Sequence, residues 1–157
     1  MNGSAALPPA PATVPRQRSK PLLPVRGVMS LIDRDEDQVL RLIEDGQLAW
    51  AFDVASDPEH GRNRELRILP ACVADYLRGH TSALEWAGVL RLLLPHNEPI
   101  LLGTEITRVL NVCSTHTYAL ARRKLITPCS SWRRGRGGCG RFTAASFTKF
   151  LKARRVL

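Results

Sequence analysis

Residues 28–48 have the sequence VMSLIDRDEDQVLRLIEDGQL, and residues 105–125 have the sequence EITRVLNVCSTHTYALARRKL. The two stretches align without a gap, and further along residues 67–77 align with residues 141–151. The repeated pattern predicts one block of two short helices, a hairpin and a third helix, used twice. In this register the paired apolar positions are Ile32 with Val109, Ile43 with Leu120, and Leu48 with Leu125.

The 157 residues are enough for one ordinary domain or two very small ones. A block of about 50–60 residues is near the lower limit of independent stability, so each copy is expected to pack against the other copy or against a partner. The expected fold is mainly α with small β-hairpin wings. The first expected segments are a disordered, Pro-rich basic arm over residues 1–24 and a degenerate acidic copy (copy one) over 25–79. A linker helix and loop over 80–98 and a basic copy (copy two) over 99–157 follow.

Positive charge is concentrated in the second half of the chain. The net charge is +9; residues 1–79 hold 10 Lys/Arg and 11 Asp/Glu, whereas residues 80–157 hold 13 Lys/Arg and three acids. A basic half of this kind indicates an anionic partner, and we expect that partner to be nucleic acid. No run of apolar residues is long enough to predict a membrane span, and no secretory signal is expected.

A helix, a tight turn, a second helix and a basic hairpin are the layout of a winged helix-turn-helix domain. Residues 105–125, the hairpin that follows and residues 141–151 resemble the small DNA-binding domain of phage and mobile-element excisionases, whose fold the MerR-type regulators share. The resemblance implies two tandem winged helix-turn-helix domains joined by a linker helix, with a recognition helix for the major groove and a basic wing beside it. It departs from the family at Cys113, where a capping Ser or Thr is usual. The implied recognition residues are Ser114, Thr115, His116, Thr117, Tyr118, Arg122, Arg123 and Lys124, and the implied wing residues are Arg133, Arg134, Arg136 and Arg141.

The residue types in copy two support the same interpretation without the family. Short hydroxyl side chains near a helix N-terminus suit base edges and phosphates, so we expect Ser114, Thr115 and Thr117 on an exposed face. Cations at the helix end would clamp the backbone, and arginines among glycines suit a narrow minor groove. Two alternatives remain: an Arg/Gly loop that binds RNA without sequence preference, and a merely solvated basic helix end.

Copy one keeps the apolar positions of copy two but not its surface. Residues 33–38 hold four acids, which would repel phosphates. Three roles are therefore open: a structural or dimerising module, which we favour; weaker DNA contact through Arg62, Arg64 and Arg67; and binding of a protein partner. The turn in copy one is expected to be remodelled, because Asp35 stands opposite the apolar Val112 in the gapless alignment.

No constellation of catalytic residues is present, so an enzyme is not expected, and neither is a cofactor. The four cysteines form no CxxC pair and are interpreted as reduced thiols. A zinc site would have to use Cys113, His116, Cys129 and Cys139, but nine residues separate the last two, and zinc sites usually pair cysteines at short spacing. We therefore expect no metal.

The sequence as a whole predicts a sequence-specific DNA-binding protein, either an excisionase-like recombination directionality factor or a transcriptional regulator of a mobile element. The expected partners are double-stranded DNA, further copies of the same chain on that DNA (as a dimer or head-to-tail) and a recombinase or other protein. The expected location is the bacterial cytoplasm, at the nucleoid. The alternatives are an adaptor or inhibitor that binds protein through copy one, and an RNA-binding protein.

Overall fold

The computed structural model describes residues 21–57, 64–129 and 140–157. These residues form seven helices and two small antiparallel sheets, which agrees with the expected mixture of helices and short hairpin strands. The elements are β1 (Leu23–Pro24), α1 (Val25–Ile32), α2 (Glu36–Glu44), β2 (Ala51–Asp53), β3 (Leu66–Ile68), α3 (Pro70–Leu77), α4 (Trp86–Leu93), β4 (Ile100–Leu102), α5 (Gly103–Leu110), α6 (Ser114–Arg122), β5 (Arg141–Thr143) and α7 (Ala144–Ala153).

The same tight turn joins the first two helices of each copy. α1 ends at Asp33 with φ 52°, and α5 ends at Asn111 with φ 53°, both in the left-handed region. Asp and Asn are the non-glycine residues that adopt this conformation most readily. The expectation of a remodelled turn in copy one is therefore wrong, because Asp35 is the N-cap of α2, as Cys113 is of α6, and not a core position.

The two sheets share one arrangement. β1, β3 and β2 lie in that order, with Leu23 opposite Ile68, and β4 lies beside β5, with Leu101 opposite Phe142. An isolated bridge from Pro128 to Phe142 takes the place that β2 has in copy one. β1 and β4, the short strands that precede the first helix of each copy, were not predicted from the sequence. Because Leu22 is fully buried and β1 pairs with β3, residues 22–24 belong to copy one and not to the arm expected over residues 1–24.

The structural register of the repeat differs by one residue from the gapless alignment. α1 matches α5 and α2 matches α6 at a shift of 78 positions, whereas the alignment used 77. The alignment was wrong because apolar residues adjoin on these helices, so that a shift of one still pairs apolar letters. The buried pairs are Ile32 with Leu110, Ile43 with Ala121, and Leu48 with Ile126.

One continuous core runs through both copies and the linker helix α4. Val89 and Leu93 of α4 are buried, and the Trp86 ring stacks on Trp50 with centroids 5.9 Å apart. Beyond α7 the chain returns to copy one, where the Val156 N–H donates to the Ala51 carbonyl at 2.9 Å along the edge of β2. The two copies pack against each other as expected, and α4 contributes Val89 and Leu93 to their shared core.

Candidate nucleic-acid interface

The exposed face of α6 carries hydroxyl groups at its start and cations at its end. Ser114, Thr115, Tyr118 and Arg122 are all exposed, and their spacing places them along one side of the helix. Lys124 follows the helix in a left-handed conformation with φ 58°, and it is also exposed. Five of the eight residues expected in the recognition helix therefore share one accessible surface.

Thr117 lies inside, and the expectation that it is exposed is wrong. Its side chain is 2% exposed, and its hydroxyl lies 2.8 Å from the hydroxyl of Thr107 on α5. Thr117 occupies the position that Val39 has in copy one, so it is a core residue with a polar group satisfied inside the helix pair. A threonine near a helix N-terminus looks the same in sequence whether it points outwards or inwards.

His116 and Arg123, which we expected to contact DNA from the recognition helix, face copy one. Nε2 of His116 lies 2.7 Å from the Val54 carbonyl, which only accepts, so this nitrogen donates. Nδ1 of His116 lies 3.4 Å from Oε2 of Glu65. Nη2 of Arg123 lies 2.8 Å from Oδ2 of Asp57. These two side chains hold α6 against the hairpin of copy one.

Arg67, expected as a weaker DNA contact, is 9% exposed and binds the turn of copy two. Its Nε donates to the Leu110 carbonyl at 3.0 Å, and its Nη2 donates to the Asn111 carbonyl at 3.2 Å. Nη2 also lies 2.6 Å from Oε1 of Glu65. The expectation of a surface role for Arg67 is wrong, because this guanidinium satisfies the carbonyls that end α5.

Sequence reasoning also missed Glu65, which lies between the two copies and faces both Arg67 and His116. The only signal was its place two residues before Arg67, which puts both on one face of a strand. Of the other expected contacts, Arg64 and Arg141 are exposed. Those that lie outside the described residues are Arg62, Arg133, Arg134 and Arg136.

The described cysteines, Cys72, Cys113 and Cys129, are free thiols. Burial raises the pKa of the Cys72 thiol. In residues 21–57, 64–129 and 140–157, no group of three or more His, Cys, Asp or Glu is placed to hold a metal ion. No helix in these ranges is long and apolar enough to cross a membrane.

Comparison with known proteins found no family model, no curated protein and no solved structure that matches the chain. Any account of function therefore depends on the residues and geometry described above.

Proposed function

We propose that this protein binds double-stranded DNA in a sequence-specific manner, through the exposed face of α6. The observation that carries the proposal is the accessible surface formed by Ser114, Thr115, Tyr118, Arg122 and Lys124, on a helix that follows a tight left-handed turn. A helix fits the major groove of B-DNA, and short hydroxyl side chains together with arginine suit the base edges and phosphates found there.

The element order supports two tandem winged helix-turn-helix units as the framework. Each copy has a short strand, two helices joined by a left-handed turn, and a third helix. Between the second and third helices, copy one has the antiparallel pair of β2 and β3, and copy two has β5 with an isolated bridge to Pro128. In this proposal α6 is the recognition helix, and Arg141, exposed at the start of β5, contacts the backbone beside it. Arg133, Arg134 and Arg136 are proposed as further DNA contacts.

Copy one has an organising role in this proposal. Its α2 exposes Glu36, Asp37 and Glu44, which would repel phosphates, so α2 does not take the place of α6 on DNA. The contacts of Arg67 and His116 hold copy two in place instead. The biological setting that we propose is excision or transcriptional control of a mobile element in bacteria, with a recombinase or another protein as a further partner.

A second candidate function follows from the same acidic surface. The exposed carboxylates of α2 favour a basic protein partner by charge complementarity, which would make the protein an adaptor or an inhibitor. The two candidates differ in the surface that they use: α6 for DNA and α2 for protein.

Selection of bound sequences from a random duplex pool tests the proposal. We expect one sequence to be enriched and to stay bound against competitor DNA. Arg122→Ala should weaken binding to the selected site by about 1–3 kcal/mol and relax its base preference. The matched control is Arg41→Ala, which removes another exposed arginine, from α2, and should leave the affinity and the base preference unchanged.

Absence of any enriched sequence would contradict sequence-specific binding. An equal loss for Arg122→Ala and Arg41→Ala would contradict the assignment of recognition to α6. Equal binding of single-stranded RNA and duplex DNA would favour the RNA alternative.

A further inference from the structure

The contact between the two copies joins a turn to a strand edge. The turn of copy two (Val109, Leu110 and Asn111) packs on Leu22 and Arg67 of copy one. The Leu22 N–H donates to the Val109 carbonyl at 2.9 Å, and the Asn111 amide donates to the Leu22 carbonyl at 3.2 Å. Arg67 donates to the carbonyls of Leu110 and Asn111. We call this contact the internal junction.

Because the two copies repeat, the turn of copy two has an equivalent turn in copy one, and the strand edge of copy one has an equivalent edge in copy two. Neither equivalent takes part in the internal junction. Residues of the first two helices correspond at a shift of 78 positions. Arg67 corresponds to Arg141, because Arg67 lies opposite Pro24 in one sheet and Arg141 lies opposite Leu102 in the other. The turn counterparts, here called the turn face, are Leu31, Ile32 and Asp33 in copy one. The strand counterparts, here called the strand face, are Ile100 and Arg141 in copy two.

Two of the counterparts, Leu31 and Ile100, are exposed, whereas Ile32 is buried like its equivalent Leu110. Of the residues in the internal junction, Val109 is 1% exposed and Leu22 is 0% exposed. Their equivalents Leu31 and Ile100 are 55% and 44% exposed, among the large hydrophobic residues most open to solvent in the described chain. Two exposed apolar side chains at the positions that are covered elsewhere in the same molecule indicate surfaces suited to the same contact.

The charges of the two free faces are complementary. Asp33 on the turn face is acidic, and Arg141 on the strand face is basic and exposed. Inside the chain Arg67 is paired with Glu65, whereas the residue that corresponds to Glu65 in copy two is Cys139. By the same correspondence, Arg141 would donate to the Ile32 and Asp33 carbonyls of another molecule, and the Asp33 carboxylate belongs to the same turn. The amide hydrogen bond of Asn111 has no equivalent, because the Asp33 carboxylate cannot donate.

We infer that the strand face of one molecule binds the turn face of a second copy of this chain, so that the internal junction is repeated between molecules. Both internal faces are already used within the chain, so the contact joins unlike surfaces head-to-tail. Such a contact produces open chains unless its rotation closes a ring. The inference does not depend on DNA binding, and its test contains no nucleic acid.

The test uses two variants that each block one face: Leu31→Glu on the turn face and Ile100→Glu on the strand face. Sedimentation velocity over a dilution series should show wild-type protein growing in mass with concentration. Each variant alone should stay monomeric, with association at least about tenfold weaker, since an unpaired carboxylate in an apolar contact is costly. An equimolar mixture should form a discrete one-to-one dimer, because each variant keeps the face that the other has lost.

The matched control is Leu157→Glu, which changes a leucine of 54% exposure in the C-terminal segment and should associate like wild type. Thermal unfolding of all variants checks the fold, and exposed positions should change it little. Wild-type protein that stays monomeric throughout would overturn the inference. So would a mixture of the two variants that forms no dimer, since that result would indicate an interface between like surfaces or a different partner.

Discussion

α2 and α6 occupy the same place in their copies, but they differ at their N-termini. α2 begins with a capping box: Asp35 accepts from the Gln38 backbone N–H at 2.8 Å, and the Gln38 side chain accepts from the Asp35 N–H at 3.2 Å. Glu36 and Asp37 add negative charge to the first turn, where the helix dipole favours it. α2 therefore has the features of a helix start selected for stability.

α6 lacks these stabilising features. Its N-cap Cys113 makes no side-chain hydrogen bond, and no acid lies in its first turn. Ser114 and Thr115 are exposed there instead, without a charge that would repel phosphate. The comparison shows that both copies share one backbone unit but differ in the side chains exposed at the start of the second helix. The proposed DNA contact would use that difference.

The largest effect is expected from the two equivalent arginines. Arg67→Ala should lower the free energy of unfolding by about 3 kcal/mol, because it removes the partner of two carbonyls and one of the two partners of Glu65. Arg141→Ala, at the matching strand position, should change it by no more than about 0.5 kcal/mol. Chemical denaturation of both variants measures the difference. Similar losses would show that Arg67 does not stabilise the contact between copies.

The next effect concerns the core position shared by Val39 and Thr117. Val39→Thr should cost about 1–3 kcal/mol, because the facing residue in α1 is Met29 and offers no good hydrogen-bond partner. Thr117→Val should cost about 1 kcal/mol, because only the bond to Thr107 is lost. The urea unfolding midpoints of the two variants measure both losses of stability. A larger loss for Thr117→Val than for Val39→Thr would contradict the assignment of Thr117 as a core residue whose hydroxyl is paired with Thr107.

The helix starts offer a third comparison. Asp35→Ala should cost about 1 kcal/mol through loss of the capping box. Cys113→Ser should raise the free energy of unfolding by about 0.5–1 kcal/mol, because it supplies the missing cap acceptor. Thermal unfolding followed by circular dichroism measures both changes. A destabilised Cys113→Ser variant would mean that the thiol has a role other than the one described.

The smallest effect is expected from the ion pair between Arg123 and Asp57. Both side chains are partly exposed, and pairs of this kind contribute about 0–1 kcal/mol. A double-mutant cycle with Arg123→Ala and Asp57→Ala gives the coupling energy directly. A coupling well above this range would mean that the hairpin of copy one holds α6 more firmly than the exposure of the pair indicates.

Much of the fold could be predicted from the sequence, because local signals determine it. Apolar spacing located α1, α2, α5 and α6, and Asn111 marked its turn correctly. Adjacent apolar residues on these helices left the register of the repeat uncertain by one position. The two-residue strand β1 and the three-residue strand β4 were too short to give an alternating pattern.

The contacts between copies could not be predicted, because they join residues far apart in the chain. In the sequence, nothing distinguishes Arg67 from a surface arginine, because only the fold brings the Leu110 carbonyl beside it. His116 and Thr117 are polar residues in a basic helix, and only their partners Val54 and Thr107 show that they face inwards. The position of the second helix of copy two was therefore predicted correctly, but the exposure expected for its side chains was wrong at His116 and Thr117.

The salt dependence of binding to the selected duplex tests the division of roles between the copies most directly. The slope of log K against log salt concentration reports the number of phosphates neutralised. Lys124→Ala should reduce the magnitude of that slope by about 1, and Arg41→Ala should leave it unchanged. If Arg41→Ala reduced the slope as much as Lys124→Ala or more, copy one would contact DNA at least as closely as copy two. That result would contradict the claim that copy two binds DNA and copy one organises the protein.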